Sequence, residues 1–200
     1  MSMNPELSPL PTGATADAVV AFAGSACPPV LMQHNYRTFR FGRTFVTDDL
    51  DEEVAFVASM LHDIGLVDAH LGTTSFELVG AEVAARFLES QGWPIHRIRL
   101  VEQAIIRHVE LVSADSPEMR VVQAGAAFDV AGFPFEAIRW STTEDIVAAH
   151  PRTSMAQDIQ RMLLDEIGRQ PSGVFARLEA EIALSELVIR NPLDSLAPRP

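Results

Sequence analysis

Apolar residues recur at three- and four-residue intervals along most of this chain, and short polar segments rich in proline and glycine separate the periodic stretches. Val54, Val57, Ala58 and Leu61, for example, form one stripe on a helix. The alternation typical of half-buried strands is not convincing anywhere. The helical stretches are residues 15–26, 30–45, 51–65, 75–90, 94–111, 117–130, 154–168 and 172–189. We therefore predict an all-α protein, a bundle of about eight helices.

Local signals mark where several of these helices begin and end. Thr74 and Glu77 have the spacing of a capping box in front of an apolar run, which predicts a helix start at this point. Ser116 is followed by a proline, a pair that favours the first turn of a helix. After Gly132 the periodic pattern weakens, and we expect residues 140–145 to form a loop.

The distribution of prolines suggests how the chain is organised. Residues 1–12 contain three prolines and little periodicity, so we expect a flexible N-terminal arm. Residues 191–200 contain three more and are predicted to be an irregular C-terminal tail. Residues 13–190 would then form a single helical domain.

Composition and charge exclude several classes of protein. With 48% hydrophobic residues, the chain can fill a sizeable core, which excludes intrinsic disorder. The net charge of −12 with no lysine argues against nucleic acids and anionic membranes as partners. The single cysteine, Cys27, cannot form a disulfide within the chain and suits a cytoplasmic location. A small-molecule substrate is the expected partner, and apolar faces on the last two helices are compatible with a homo-oligomer.

Four ionisable residues stand in apolar surroundings. His62 and Asp63 follow Met60 and Leu61 at the end of a predicted helix, where helix carbonyls favour a cation. His34 and Asp129 likewise interrupt apolar helical stretches. Together they form a set of two nitrogen and two oxygen ligands that suits one divalent metal, with Zn first and Fe, Mn, Co or Ni compatible. Taken singly, each histidine can be explained more simply as a hydrogen-bonded core residue. Asp129 alone can be explained as a helix cap or as the partner of an arginine.

The order of these residues, H, then HD, then D, resembles the HD superfamily of metal-dependent hydrolases. Residues 60–65, Met-Leu-His-Asp-Ile-Gly, are a close match to the central motif of that superfamily, and the resemblance covers about residues 30–132. Residues 34–39, 75–81 and 191–195 resemble its cyanamide hydratase branch. The resemblance implies an HD-domain helical bundle whose metal ligands are His34, His62, Asp63 and Asp129.

Two positions depart from other branches of the superfamily. Leu66 stands where HD nucleotidases carry an acidic residue that handles the attacking water. Phe76 stands where dinuclear HD enzymes have a further histidine ligand. The first departure argues against a nucleotidase, and the second predicts a mononuclear centre.

Further polar residues are candidates for the substrate pocket. His108 lies where the superfamily often has a pocket histidine, and we assign it with Asp63 to proton transfer. Arg37, Glu77 and Asp68 are the substrate-binding candidates, the last of them next to His70 in a predicted loop after the motif. Arg37 has an alternative role as the partner of a buried acid, and Glu77 as the acid of the capping box.

We therefore predict a metal-dependent hydrolase or hydratase that uses a metal-activated water on a small polar molecule, such as a cyanamide-like nitrile or an amide. One alternative is a nucleotide phosphomonoesterase with the same metal and an arginine for the phosphate. The other is a non-catalytic helical protein with a structural metal.

Overall fold

The computed structural model describes residues 9–133 and 138–196. This part of the chain contains ten α-helices and no strand: α1 (Ala14–Ala26), α2 (Pro29–Phe45), α3 (Glu52–Leu61), α4 (Phe76–Ser90), α5 (Ile95–Arg107), α6 (Pro117–Ala131), α7 (Trp140–Ala149), α8 (Met155–Arg169), α9 (Val174–Ile182) and α10 (Leu184–Ile189). Short 3-10 turns cover Ile64–Leu66, Asp68–His70 and Pro192–Ser195. The all-α prediction is confirmed. Residues 1–8 of the predicted arm and 197–200 of the predicted tail lie outside the described residues.

The core is built around α3, which is buried on every side. All eight residues from Val54 to Leu61 are buried, as expected of a helix that is apolar all round. The side chain of Asp51 caps this helix by accepting a hydrogen bond from the backbone N–H of Val54 at 3.1 Å. Helices α1, α2, α5 and α6 pack around α3. Across the described residues, no helix is both long and apolar enough to cross a membrane.

Helices α2 and α6 run antiparallel and touch through their backbones at two glycines. A Cβ atom on Gly42 would lie 2.0 Å from the carbonyl oxygen of Val121, and one on Gly125 would lie 1.9 Å from that of Thr38. Any larger residue at either position would therefore force the two helices apart. This close approach positions the residues one turn further along both helices, which belong to the candidate site.

Two helical regions differ from the sequence prediction. The structure forms α7 over residues 140–149, including residues 140–145 where we expected a loop, because Ile146 and Val147 pack against Phe41 and Phe128 despite the weak local pattern. The predicted final helix divides in two at Ala183, whose φ of 51° is left-handed. Nothing in the local sequence signals this break, because alanine is a strong helix former.

The predicted capping box is wrong in its detail. The N-cap of α4 is Ser75 rather than Thr74, and no side chain of this segment caps the helix. The Ser75 hydroxyl instead donates to Glu77. Glu166, on a distant helix, accepts the backbone N–H of Phe76 at 3.2 Å. A tertiary contact therefore takes the place of the local cap.

Helices α8, α9 and α10 cover a second apolar cluster on one side of the α3 core. Ile159, Leu163, Leu178 and Leu184 are buried there with residues of the 3-10 turn that follows α3. The last described residues also pack inward, since Leu193 is fully buried. The boundary between these closing helices and the core contains the candidate site.

Candidate metal centre

Three side chains bring ligand atoms together at the C-terminal end of α3. His34 comes from α2, His62 is the residue that ends α3, and Asp63 follows it. The two histidine Nε2 atoms are 3.1 Å apart, and each lies 3.4 Å from Oδ2 of Asp63. All three residues are buried. Among the described residues, this is the one group of three or more histidine, cysteine or acidic side chains that could hold a metal ion.

Hydrogen bonds on the far side of each imidazole fix its tautomer. His62 Nδ1 lies 2.8 Å from the carbonyl oxygen of Ser59, and His34 Nδ1 lies 2.6 Å from Oδ2 of Asp129. Both partners are acceptors, so each Nδ1 carries a proton. When the ring is neutral, as it must be to bind a metal, Nε2 of each histidine directs a lone pair toward the centre of the triangle. Three acceptor atoms therefore face one another, an arrangement that is unfavourable unless a cation lies between them.

The size of this triangle suits one first-row divalent ion. Such an ion lies about 2.0–2.2 Å from each nitrogen or oxygen ligand, which separates neighbouring ligand atoms by roughly 3–3.5 Å in tetrahedral or octahedral geometry. The three observed separations lie in this range. Two imidazoles and one carboxylate bind Zn, Fe, Mn, Co or Ni, so the ligand types do not select among these metals.

The electrostatic field of the centre favours positive charge. Burial alone would raise the pKa of Asp63, but the neighbouring histidines, His62 first, hold this pKa well below its usual range. Burial lowers the pKa of His62 to about 3, so its ring is neutral. Burial also opposes a charge on His34, but its hydrogen bonds to two carboxylates outweigh this effect and raise its pKa. The carboxylates thus attract a cation to the position between the rings.

Asp129, expected as the fourth ligand, lies behind His34 rather than beside the triangle. Its Oδ2 contacts His34 Nδ1, while its Oδ1 accepts hydrogen bonds from Arg37 at 2.8 Å and from Arg152 at 2.6 Å. Burial would raise the pKa of Asp129, but the two arginines lower it, so the residue is an anion. The structure therefore brings Asp129 into contact with His34 but does not group its oxygens with the three ligand atoms, and its role as a direct ligand stays a prediction. In the observed position it orients the His34 ring.

A cavity of about 120 Å³ opens directly above the triangle. His34, His62 and Asp63 form its polar floor together with His108, whose Nε2 lies 3.6 Å from Oδ1 of Asp63. The walls are mainly apolar. Most of them come from α6, α8, α9 and α10, including Ala126, Val130, Ile159, Leu163, Phe175 and Leu178, and the segment after α5 adds Val109, Glu110 and Leu111. The ligand atoms thus face a small chamber with mainly apolar walls, which strengthen electrostatic interactions by lowering the local dielectric constant.

The three residues proposed for substrate binding lie outside the lining of this chamber. Arg37 is fully buried, and its guanidinium donates to Asp129, to the carbonyl oxygens of residues 150 and 151 and to the sulfur of Met155. Glu77 is buried against Ser75. Asp68 is exposed and faces a separate groove of about 920 Å³. Arg37 therefore takes its alternative role as the partner of a buried acid, and the other two assignments stay predictions.

Several residues of the site escaped the sequence analysis. Arg152 and Asn191 both donate to Asp129, at 2.6 Å to its side chain and 2.9 Å to its backbone carbonyl respectively. Neither residue belongs to a periodic pattern, and the only signal was that Asn191 begins a segment resembling one branch of the superfamily. The position of Phe175 in the site could not be identified from the sequence either, because an aromatic residue in an amphipathic helix normally belongs to the hydrophobic core.

Comparisons with known proteins agree with this geometry at a general level. The chain is 26% identical to cyanamide hydratase DDI2 of Saccharomyces cerevisiae over 175 aligned positions, which cover 82% of this chain and 78% of the relative. Cyanamide hydratase DDI3 of the same yeast matches with the same identity and coverage. No family model matches the chain. These similarities support a cyanamide hydratase-like relationship.

Proposed function

We propose that this protein is a metal-dependent hydratase that adds water to a small neutral nitrile, with cyanamide as the first candidate and urea as its product. The observation that carries the proposal is the set of three acceptor atoms that meet within 3.4 Å at the floor of a small apolar chamber. The two yeast relatives, which are named cyanamide hydratases, support the choice of substrate.

His34, His62 and Asp63 would hold one divalent ion, zinc in the first instance, as a mononuclear centre. A bound ion with open positions lowers the pKa of water to about 7 and polarises an electrophile. Because these three residues line the floor of the chamber, a substrate in the chamber would lie next to the bound ion. Asp129 supports this centre from behind by holding the Nδ1 proton of His34.

His108 is the residue placed to move protons during the reaction. Its Nδ1 lies 2.5 Å from the carbonyl oxygen of Ile105, which leaves Nε2 directed toward Asp63 and the chamber. Hydration of a nitrile moves protons from the attacking water to the nitrile nitrogen, so one imidazole nitrogen can accept a proton and then return it. Asp63 Oδ1, 3.6 Å away, would attract Nε2 while it carries the proton. One cyanamide and one water together contain all the atoms of one urea, so the reaction needs no other reactant.

The chamber disfavours the alternative of nucleotide phosphomonoester hydrolysis. Ligand pockets for larger molecules measure about 300–1,000 Å³, several times the volume observed. Arg37 is fully occupied, and Arg107 pairs with Glu110 and Asp115 at the surface. No arginine is found among the described residues that line the chamber. A phosphate dianion would therefore have the metal ion as its one cationic partner, with no arginine beside it to match its second charge and bind its remaining oxygens.

Metal analysis and an assay for urea formation from cyanamide test the proposal together. We expect about one zinc equivalent per chain, turnover of cyanamide by the loaded protein, and no turnover of nucleoside monophosphates. His62→Ala should abolish both metal binding and turnover while changing the melting temperature little. His96→Ala is the matched control, since this histidine is exposed and far along the sequence from the centre.

Two results would contradict the proposal. Zinc-loaded wild-type protein that leaves cyanamide unchanged would refute the substrate. A large fall in the melting temperature of His62→Ala, without any activity in the wild type, would indicate a structural metal instead.

A further inference from the structure

Phe175 is held at a fixed place in the wall of the chamber. Its ring stacks on that of Phe76, with centroids 4.5 Å apart and planes inclined by 30°. Phe76 is fully buried and meets the ring of His108 edge-on at 5.8 Å. The position of Phe175 relative to His108 is therefore set by a buried aromatic neighbour rather than by its own rotamer preference.

The opposite wall is made of small side chains. Ala126, Ala127 and Ala131 of α6 line the chamber across from the closing helices. The large side chains that limit the volume above the metal ligands therefore come mainly from the closing helices, and among those of α9 Phe175 is the largest and the one stacked beside His108 through Phe76. Removing the ring would enlarge the chamber next to His108 without changing any ligand atom.

The chamber is close to the size at which an aromatic ring begins to fit. An apolar protein cavity of about 150 Å³ holds benzene, whereas this chamber measures about 120 Å³. A nitrile head group bound at the floor uses part of that volume, so a phenyl substituent that stays inside the chamber would overlap with the side chains of its walls. A molecule as small as cyanamide has ample room.

We propose that Phe175 sets the upper size limit for molecules that reach the metal centre, so that the protein accepts cyanamide-sized neutral molecules and rejects aryl-substituted ones. As far as it concerns nitriles, this inference rests on the function proposed above. The size limit itself depends on the chamber wall and not on the reaction, so it applies to any small neutral molecule that binds at the metal centre.

Hydration of cyanamide and phenylcyanamide provides the first test. Wild-type protein should convert only cyanamide at an appreciable rate. Phe175→Ala should raise kcat/KM for phenylcyanamide about 10- to 200-fold, the range by which apolar pockets discriminate on size, and should affect cyanamide much less. Phe175→Leu should give a smaller gain and serves as the second variant if the alanine variant does not fold. Phe22→Ala is the matched control, because Phe22 also stacks on a phenylalanine, Phe87, but does not line the chamber.

A binding test separates this inference from the proposed reaction. In cobalt-loaded protein, the visible absorption of the metal should change when imidazole is added but not when 4-phenylimidazole is added. In Phe175→Ala it should change with both, and in Phe22→Ala with imidazole alone. If no variant hydrates any nitrile but this pattern holds, the proposed reaction fails while the size limit stands. Wild-type protein that binds both probes, variants that gain nothing, or a chain that takes up no cobalt would overturn the inference.

Discussion

Replacing Gly125 by alanine tests whether the contact between α2 and α6 sets the geometry of the metal centre. The new Cβ atom would lie 1.9 Å from the carbonyl oxygen of Thr38, whereas ordinary contacts begin at 3.4 Å. Because the obstacle is backbone rather than a flexible side chain, the two helices must separate by about 1.5 Å at this turn. The hydrogen bond between His34 and Asp129, 2.6 Å long, is one turn away on both helices.

The expected effects follow from this displacement. If most of the separation is transmitted along the helices, the distance from His34 Nδ1 to Asp129 approaches roughly 4 Å and the hydrogen bond is lost. Overpacking of this kind costs about 1–3 kcal/mol, which in a chain of this size lowers the melting temperature by roughly 2–12 °C. Loss of the partner that orients a histidine ligand weakens metal binding by about 10- to 100-fold.

Thermal denaturation and competition with a chromophoric zinc chelator measure the two effects. Gly168→Ala is the matched control, because Gly168 is exposed on α8 and a Cβ atom there meets nothing within 4 Å. This variant should keep wild-type zinc affinity and gain up to about 1 kcal/mol from the lower backbone entropy of alanine. A Gly125→Ala protein with the melting temperature and zinc affinity of the wild type would refute the role given to the helix crossing.

Three further predictions concern single residues. His108→Gln should lower kcat for cyanamide by about 10²- to 10⁴-fold with zinc content unchanged, and loss of zinc would contradict its assignment to proton transfer. Asp129→Asn should lower the melting temperature by roughly 6–20 °C, because it removes the buried partner of Arg37 and Arg152 at a cost of about 3–5 kcal/mol; an unchanged value would show that these ion pairs contribute nothing. Burial, followed by neighbouring arginines, lowers the pKa of His150 from 6.5 to about 4 in the folded protein, so the unfolded chain binds more protons between these values. The unfolding free energy of the wild type should therefore fall relative to that of His150→Asn as the pH drops from 6.5 to 4, whereas parallel pH profiles would contradict the shift.

The parts of the fold that local chemistry determines could be predicted from the sequence. Helix α6 begins after Ser116, whose side chain accepts the N–H of Met119, and ends at Gly132 in the left-handed conformation, as its capping residues indicate. Helix α7 could not be predicted, because Ile146 and Val147 are stabilised by residues far away in the sequence. The extent of α4 was predicted, at residues 75–90, but its cap was not, because Glu166 accepts the N–H of Phe76 from another helix.

The candidate site shows the same division. The adjacent residues His62 and Asp63 could be recognised because burying two ionisable side chains at the end of an apolar helix is costly unless a partner binds them. The surroundings of Asp129 could not be predicted, since its contact with Arg152 depends on how the segment after α7 folds over α6. A carboxylate in an apolar helix indicates that some cation is near, but its sequence neighbours do not reveal whether that cation is a metal or an arginine.

The buried charges around His34 have a chemical consequence for the proposed reaction. Asp129 is already paired with two arginines, Arg37 and Arg152. Among the described residues, Asp63 is therefore the one carboxylate directed at the two Nε2 atoms. A divalent ion held by two neutral imidazoles and a single carboxylate keeps more of its positive charge than one held by two carboxylates. The mainly apolar walls would strengthen the effect of that charge further, because they lower the local dielectric constant. Such a centre favours attack on the carbon of a neutral nitrile, whose nitrogen gains negative charge as the water adds.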